Sequence, residues 1–285
     1  MMSEPTIVVI GSVNLDLVAS VSRLPVAGET ITGAELQRFP GGKGANQALA
    51  ASRLGADVAL IARVGEDSYA AEALALLVEG GVNLSGCQST TESPTGIALI
   101  CVAADGENQI VVAPGANHTL AVDNLQLPAA DALICQLEVP VSALLAAAND
   151  FSGLFCINLA PARDVPDALL RRADVVVVNE TEAAYYGDVL QLADTLVVTT
   201  LGKDGAIAVI NGEVVARAGA PRVDAIDTVG AGDAFTAALT VQLARQQDTS
   251  KALEFACAAG ALAATRQGAQ PSLPALHDIE AILTR

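Results

Sequence analysis

The chain has 285 residues, of which 52% are hydrophobic, and a formal net charge of -17. That length and apolarity suit one large core and exclude a disordered chain. The acidity excludes non-specific binding to nucleic acid and opposes anionic membrane surfaces; a phosphorylated ligand held by local backbone N–H groups and a metal stays open.

The opening, MMSEPTIVVIGS, has no basic stretch before its apolar run, so no secretory signal is expected and a soluble cytoplasmic protein is. TIVVIG from Thr6 reads as a buried strand. Residues 15–38 hold strand-like pieces, LDLVASV and ETITGAELQRF, around a Leu-Pro and an Ala-Gly turn. ANQALAASRLG reads as a helix, VALIARVG from Val58 as a strand, and SYAAEALALLVEGG as a helix. Residues 95–113 read as a hairpin, GIALICVA and QIVVA joined through ADGEN. The strands ALICQLE, LFCINLA, VVVVNE and LVVTTLG follow at intervals. AIAVINGEVVARAG is a further hairpin with Asn211 and Gly212 at its turn. A glycine-rich turn and three helical stretches complete the chain, among them FACAAGALAAT from Phe255, too short for a membrane span.

Strand and helix alternate, and the Val175-to-Val178 run lacks polar alternation, so an α/β fold is expected: a mostly parallel central sheet with helices on both faces, in a single domain over residues 1–285. Segments 15–38 and 95–113 break the alternation. They are either a small sheet projecting over a site as a lid or two edge hairpins. The five cysteines, Cys87, Cys101, Cys135, Cys156 and Cys257, form no CxxC pair and are expected to be buried reduced thiols. Two histidines, His118 and His277, are too few for a His-rich metal site.

The strongest local signal is DTVGAGDAF, residues 227–235. A glycine turn feeding a helix leaves backbone N–H groups unpaired and aimed at one spot, which attracts an anion. Asp233 lies beside it in the first turn, where a carboxylate can take a proton from a hydroxyl while the N–H groups hold incoming phosphoryl charge. Taken alone, the motif is equally a turn whose acid complements the helix dipole. A second glycine cluster, FPGGKGANQ from Phe39, also precedes a helix. It lacks the Walker A spacing, and no GxGxxG follows the first strand, which disfavours a dinucleotide site. Its glycines permit close ligand approach and Asn46 offers both a donor and an acceptor, although an ordinary helix start has the same look. Asn14 and Asp16 follow the first strand, where open α/β sheets bind ligands; Asp16 suits two sugar hydroxyls or a surface turn. Asn179 to Glu182 close the VVVV strand, as groups that order Mg²⁺ waters or as a helix cap.

These motifs, in this order, resemble the PfkB carbohydrate kinases, and most closely the ribokinase-like members. The resemblance runs from GSVNLD to RQGAQPS, and QLE, NETEA, TTLGKDG and APGAN extend it. It implies a ribokinase-like three-layer fold with a small β-sheet lid and ATP-dependent phosphorylation of a sugar hydroxyl, D-ribose to D-ribose 5-phosphate; a nucleoside, deoxyribose or other sugar, or a non-catalytic sugar-binding module, are the alternatives. Asp233 is implied as the catalytic base and Gly230, Ala231 and Gly232 as the anion hole. Asn14, Asp16, Gly42, Lys43, Gly44, Ala45, Asn46 and Glu138 are implied to hold the sugar. Asn179, Thr200, Leu201, Gly202, Lys203, Asp204, Gly205, Gly232 and Cys257 are implied to contact ATP, and Glu182 to hold Mg²⁺ through water. A monovalent cation, K⁺, is implied at Asp227, Val229, Ala263, Arg266, Gly268 and Ser272, and a homodimer through the lid. The chain departs from the pattern in a shortened stretch between NETEAAYYG and LVVTTLG, in Leu159 where proline is frequent, and in Cys257 where a polar residue is common.

Overall fold

β-Branched runs form the middle of a sheet, and Ala-rich segments form the helices that cover it. The computed structural model describes residues 4–104, 106–121, 127–191 and 194–284. Met1 to Ser3, Asp105 of the expected ADGEN turn, and Leu192 and Ala193 of the shortened stretch lie outside the described residues. In chain order the elements are β1 (Thr6–Ile10), β2 (Asn14–Val21), β3 (Glu35–Gly41), α1 (Lys43–Arg53), β4 (Asp57–Gly65), α2 (Ser68–Glu79), β5 (Asn83–Thr90), β6 (Gly96–Ala103), β7 (Asn108–Ala113), β8 (Ala132–Gln136), α3 (Val141–Asp150), β9 (Leu154–Asn158), α4 (Asp167–Arg172), β10 (Val175–Asn179), α5 (Glu180–Tyr186), β11 (Leu196–Thr200), β12 (Ala206–Ile210), β13 (Glu213–Ala218), α6 (Ala231–Ala244), α7 (Thr249–Ala263), α8 (Ala269–Ser272) and α9 (Leu276–Leu283).

The large sheet has the order β13-β12-β11-β10-β9-β8-β1-β4-β5. It is parallel from β11 to β5, and β12 and β13 add antiparallel at one edge. Side chains alternate between faces along a strand, so each central strand feeds two cores. Ile7, Val9, Val175 and Val177 pack on one side with α1, α6 and α7. Val8, Ile10, Val176 and Val178 pack on the other with α3 and α4. This explains the unbroken apolar strands, because a residue on either face is buried. The β12–β13 turn places Asn211 at φ 52° and Gly212 at φ 80°, the left-handed pair a two-residue hairpin needs.

The small sheet has the order β3-β2-β6-β7. β2 pairs with β6 in parallel from Asn14 opposite Gly96 to Val21 opposite Ala103, so the two unusual segments pair with each other rather than standing as separate edge hairpins. One face of this sheet carries Asp16, Val18, Ala98, Ile100, Ile110 and Val112, and the other carries Leu17, Leu99 and Val111. The strand expected from Glu29 begins only at Glu35 and continues through Pro40 and Gly41, so the second glycine cluster opens inside a strand. β5, absent from the sequence expectation, extends the large sheet. The one-turn α8 brings the helices after the glycine turn to four instead of three. Cys135, Cys156 and Cys257 are buried as expected, whereas Cys87 and Cys101 are only partly covered. Among the described residues no helix is long and apolar enough to cross a membrane.

Candidate active site

A cavity of about 420 Å³ lies beneath the apolar inner face of the small sheet, where Ala98, Ile100, Ile110 and Val112 line it. Its polar wall comes from strand ends and the two glycine turns: Asn14, Asp16, Gly42, Lys43, Asn46, Glu138, Asn158, Asn179, Glu182, Thr200, Gly230, Gly232 and Asp233. Asn14 and Asp16 sit not in a loop but on the first residues of β2, the strand that enters the small sheet.

Asp233 occupies the first turn of α6 and is 5% exposed. The N-cap Gly230 holds φ 82°, and a Cβ there would come within 3.0 Å of Ala269 Cα, so both the turn and the packing require glycine. Helix α1 packs against α6 and brings two amides to the carboxylate. Asn46 Nδ2 donates to Asp233 Oδ2 at 2.8 Å, and Gln47 Nε2 donates to Oδ1 at 2.8 Å. The two glycine motifs thus meet side chain to side chain. Gly232 lines the cavity with nothing near the place of a Cβ, and the α6 start presents first-turn N–H groups to the same space.

Asn117, buried in the turn after β7, fixes Asn14: its Nδ2 donates to Asn14 Oδ1 at 2.8 Å and its Oδ1 accepts from Val13 N at 2.9 Å. Asn46 has the opposite polarity, because its Nδ2 is taken by Asp233 and its buried Oδ1 has no partner. Glu138 Oε2 accepts from Ser12 Oγ at 2.5 Å and from Lys43 N at 3.1 Å. Burial, then the charges of Glu138 and Asp233, push the Asp16 carboxyl up to about 7 against the pull of Lys43. Burial alone pulls the Lys43 ammonium down, but Asp233, Glu138, Glu182 and Asp16 outweigh it and the net shift is upward. Donors and acceptors of both kinds around one volume suit a polyhydroxylated molecule.

On the far side, Asn179 and Glu182 form a reciprocal cap at the start of α5: Asn179 Oδ1 accepts from Glu182 N at 2.8 Å, and Glu182 Oε2 accepts from Asn179 N at 2.9 Å. Burial raises the Glu182 carboxyl. Thr200 lines the cavity, but Leu201, Gly202, Lys203, Asp204 and Gly205 form a tight turn after β11 outside it. Cys257 is also outside, buried in α7, where its Sγ donates to Ala218 O at 3.8 Å and burial pushes the thiol up to about 11. Gly44, Ala45 and Ala231 do not line the cavity; Ala45 N instead donates to Ser12 O at 2.9 Å, tying the turn to the end of β1.

Asp227 joins two loops: Oδ1 accepts from Val229 N at 3.0 Å and Oδ2 from Gly268 N at 2.9 Å. These three residues line an adjoining cavity of about 300 Å³. Ala263 and Ser272 are buried and Arg266 is exposed, and none of the three lines this cavity. Among the described residues no cluster of three or more His, Cys, Asp or Glu side chains forms a metal cage.

Sequence reasoning missed Ser12, Gln47, Asn117, Gln136, Asn158 and the inner lid residues. Gln47 and Asn117 do stand inside the quoted runs GGKGANQ and APGAN; their amide character was the available signal.

Comparison with known proteins follows the same lines. A profile described as pfkB family carbohydrate kinase matches residues 4–276. The ribokinase of Bacillus subtilis is 36% identical over 292 residues, covering 98% of this chain and 99% of the relative. The crystal structure of ribokinase from Thermotoga maritima superposes with a TM-score of 0.90 at 31% identity, covering 99% of this chain and all (100%) of that one. The ribokinase of Arabidopsis thaliana, complexed with ribose and ATP, superposes at 0.87 with 29% identity, covering 99% and 100%.

Proposed function

The chain belongs to the pfkB family of carbohydrate kinases, and from that premise we propose that it transfers the γ-phosphoryl group of ATP to O5 of D-ribose, giving ADP and ribose 5-phosphate. The observation that carries this reading is the Asp233 carboxylate, held by Asn46 and Gln47 at a helix start inside the cavity. The ribose and ATP bound by the Arabidopsis relative support the substrate pair.

In this reading ribose lies against Asn14, Asp16, Lys43, Asn46 and Glu138. Asn14 donates to a sugar oxygen, while Asp16 and the Asn46 Oδ1 accept from sugar hydroxyls. Asp233 accepts the proton of the attacking hydroxyl as its oxygen bonds to phosphorus. The N–H groups of Gly230 and Gly232, residues that line the cavity, hold charge on the phosphoryl oxygens, whereas Ala231 N donates to Thr228 O at 3.2 Å and keeps the turn closed. Closure of the small sheet excludes water, which would otherwise take the phosphoryl group. ATP extends from the cavity past Asn179 and Thr200 toward the 201–205 turn and Cys257, which lie outside the cavity lining.

The residues present fit Mg²⁺ held through water: Glu182 commits Oε2 to the cap, and its Oε1 has no protein hydrogen-bond partner among the described residues. The metal, when bound, supplies positive charge to the nucleotide phosphates. They also fit K⁺ near Asp227, whose carboxylate gathers the loops carrying Val229 and Gly268, with Ala263, Arg266 and Ser272 assigned to it on the resemblance alone. We infer that the outer face of the small sheet meets a second copy, because Leu99 and Val111 pair across strands there while 51% and 64% exposed. A Leu99→Asp chain that keeps the wild-type mass in light scattering would reject that dimer.

The deciding experiment is a panel of sugars and nucleosides with ADP detection. Ribose is expected to show the highest kcat/KM. A nucleoside or another sugar exceeding it would overturn the ribose assignment, and ribose binding with no ADP would identify a non-catalytic module.

A further inference from the structure

Behind Asp233 lies a row of buried amides, of which only Asn158 reaches the cavity wall. Gln47 and Gln136 are both 0% exposed, and neither lines the cavity. Gln136 Nε2 donates to Gln47 Oε1 at 2.6 Å. Gln47 Nε2 then donates to Asp233 Oδ1 at 2.8 Å and to Asn158 Oδ1 at 3.3 Å. Asn158 is itself oriented, because its Nδ2 donates to Val177 O at 3.1 Å. Turning the Gln47 amide over would set its oxygen against two acceptors and its NH₂ against the NH₂ of Gln136. The amide therefore has one orientation, and a donor faces Asp233.

Gln136 makes this link at a cost. Its Oε1 is buried with no partner, packed so closely on Gly11 that a Cβ there would collide with it. A leucine of similar size would remove the unpaired atom but leave the buried Gln47 Oε1 without its donor, so the side chain is retained for the bond that orients Gln47.

We propose that Gln47, locked by Gln136, is a positioning residue that holds Asp233 Oδ1 and leaves Oδ2 on the cavity side, beside Asn46, to take the proton of the attacking hydroxyl. The inference rests on the kinase reading above. Asp16 on β2, Lys43 at the start of α1, Glu138 after β8 and Glu182 on α5 also place charge around Asp233, and all four remain in the variants below.

The test is the single-turnover rate of phosphoryl transfer against pH, at saturating ribose and ATP, for wild type, Gln47→Glu and Gln136→Leu. Gln47→Glu keeps the shape and the Gln136 contact, so it reports even if the leucine variant does not fold. Replacing the donor by a second carboxylate is expected to move the acid limb of the profile up by about one pH unit or more. At a fixed pH on the acid limb the rate should fall about tenfold, with the KM for ribose within about twofold. Gln136→Leu should move the limb in the same direction by less, with a melting temperature at or below that of wild type because the buried Gln47 Oε1 loses its donor. Superimposed acid limbs, or a loss confined to KM, would overturn the inference while leaving the kinase reading intact. No ADP from the wild-type chain would instead sink that reading.

Discussion

Asn117 Nδ2 donates to Asn14 Oδ1 at 2.8 Å, which turns the Asn14 oxygen toward Asn117 and fixes the orientation of an amide that lines the cavity. A residue that lines no part of the site thus sets the polarity of one that does. Asn117→Leu removes this bond and both bonds to Val13. The KM for ribose is expected to rise about tenfold and the KM for ATP to stay within about twofold, with a stability loss of roughly 1–3 kcal/mol from the unpaired Val13 N–H. Steady-state kinetics with each substrate varied checks this, and an equal rise in both KM values would contradict it.

Asp233→Asn keeps the shape of the side chain and removes the proton acceptor. Ribose binding should persist by calorimetry while kcat falls about 10²- to 10⁴-fold, the usual contribution of a general base. Near-normal kcat would remove Asp233 from the mechanism.

Asp16 gives a pH signature. Its folded-state carboxyl near 7 stands above the ordinary 3.8, so between those values the folded chain holds a proton that the unfolded chain has lost. Stability from this group therefore falls as pH rises through that window, and the full penalty is present above it. Asp16→Asn should match wild type in urea unfolding near pH 4 and exceed it by a growing margin toward pH 8. Hydroxyls donating to the carboxylate favour its charged form, so ribose binding near neutral pH should release protons, seen as a buffer-dependent enthalpy. A constant gap between the two chains at all pH values would show that Asp16 does not carry the effect.

The loops tied by Asp227 make the cation assignment testable. Turnover is expected to be several-fold faster in K⁺ than in K⁺-free buffer at equal ionic strength, an effect of charge placed beside the α6 start. Asp227→Ala should be slow in both. Equal wild-type rates would reject the site.

The large sheet was legible because β1, β8, β9 and β10 are buried on both faces over most of their length, and they and β11 are apolar runs whose polar residues fall at the strand ends. β5 was not, because NLSGCQST is a half-exposed edge strand with few apolar residues and its identity comes from pairing with β4. Asp233 and Asn46 were legible as chemical groups next to glycines, and Asp16 as an acid just after the first strand. The row of Gln136, Gln47 and Asn158 was not, since its order depends on how α1 and α6 pack over β8 and β9, and no local pattern records a hydrogen bond between distant residues.

The bond between Asn46 and Asp233 spans 187 positions, and that from Gln47 spans 186. A nascent chain therefore leaves the ribosome with the α1 amides made early and their acceptor made late. Until residue 233 has emerged and α6 has docked, those amides have no carboxylate to meet, and neither half of the polypeptide, expressed alone, contains the machinery for turnover.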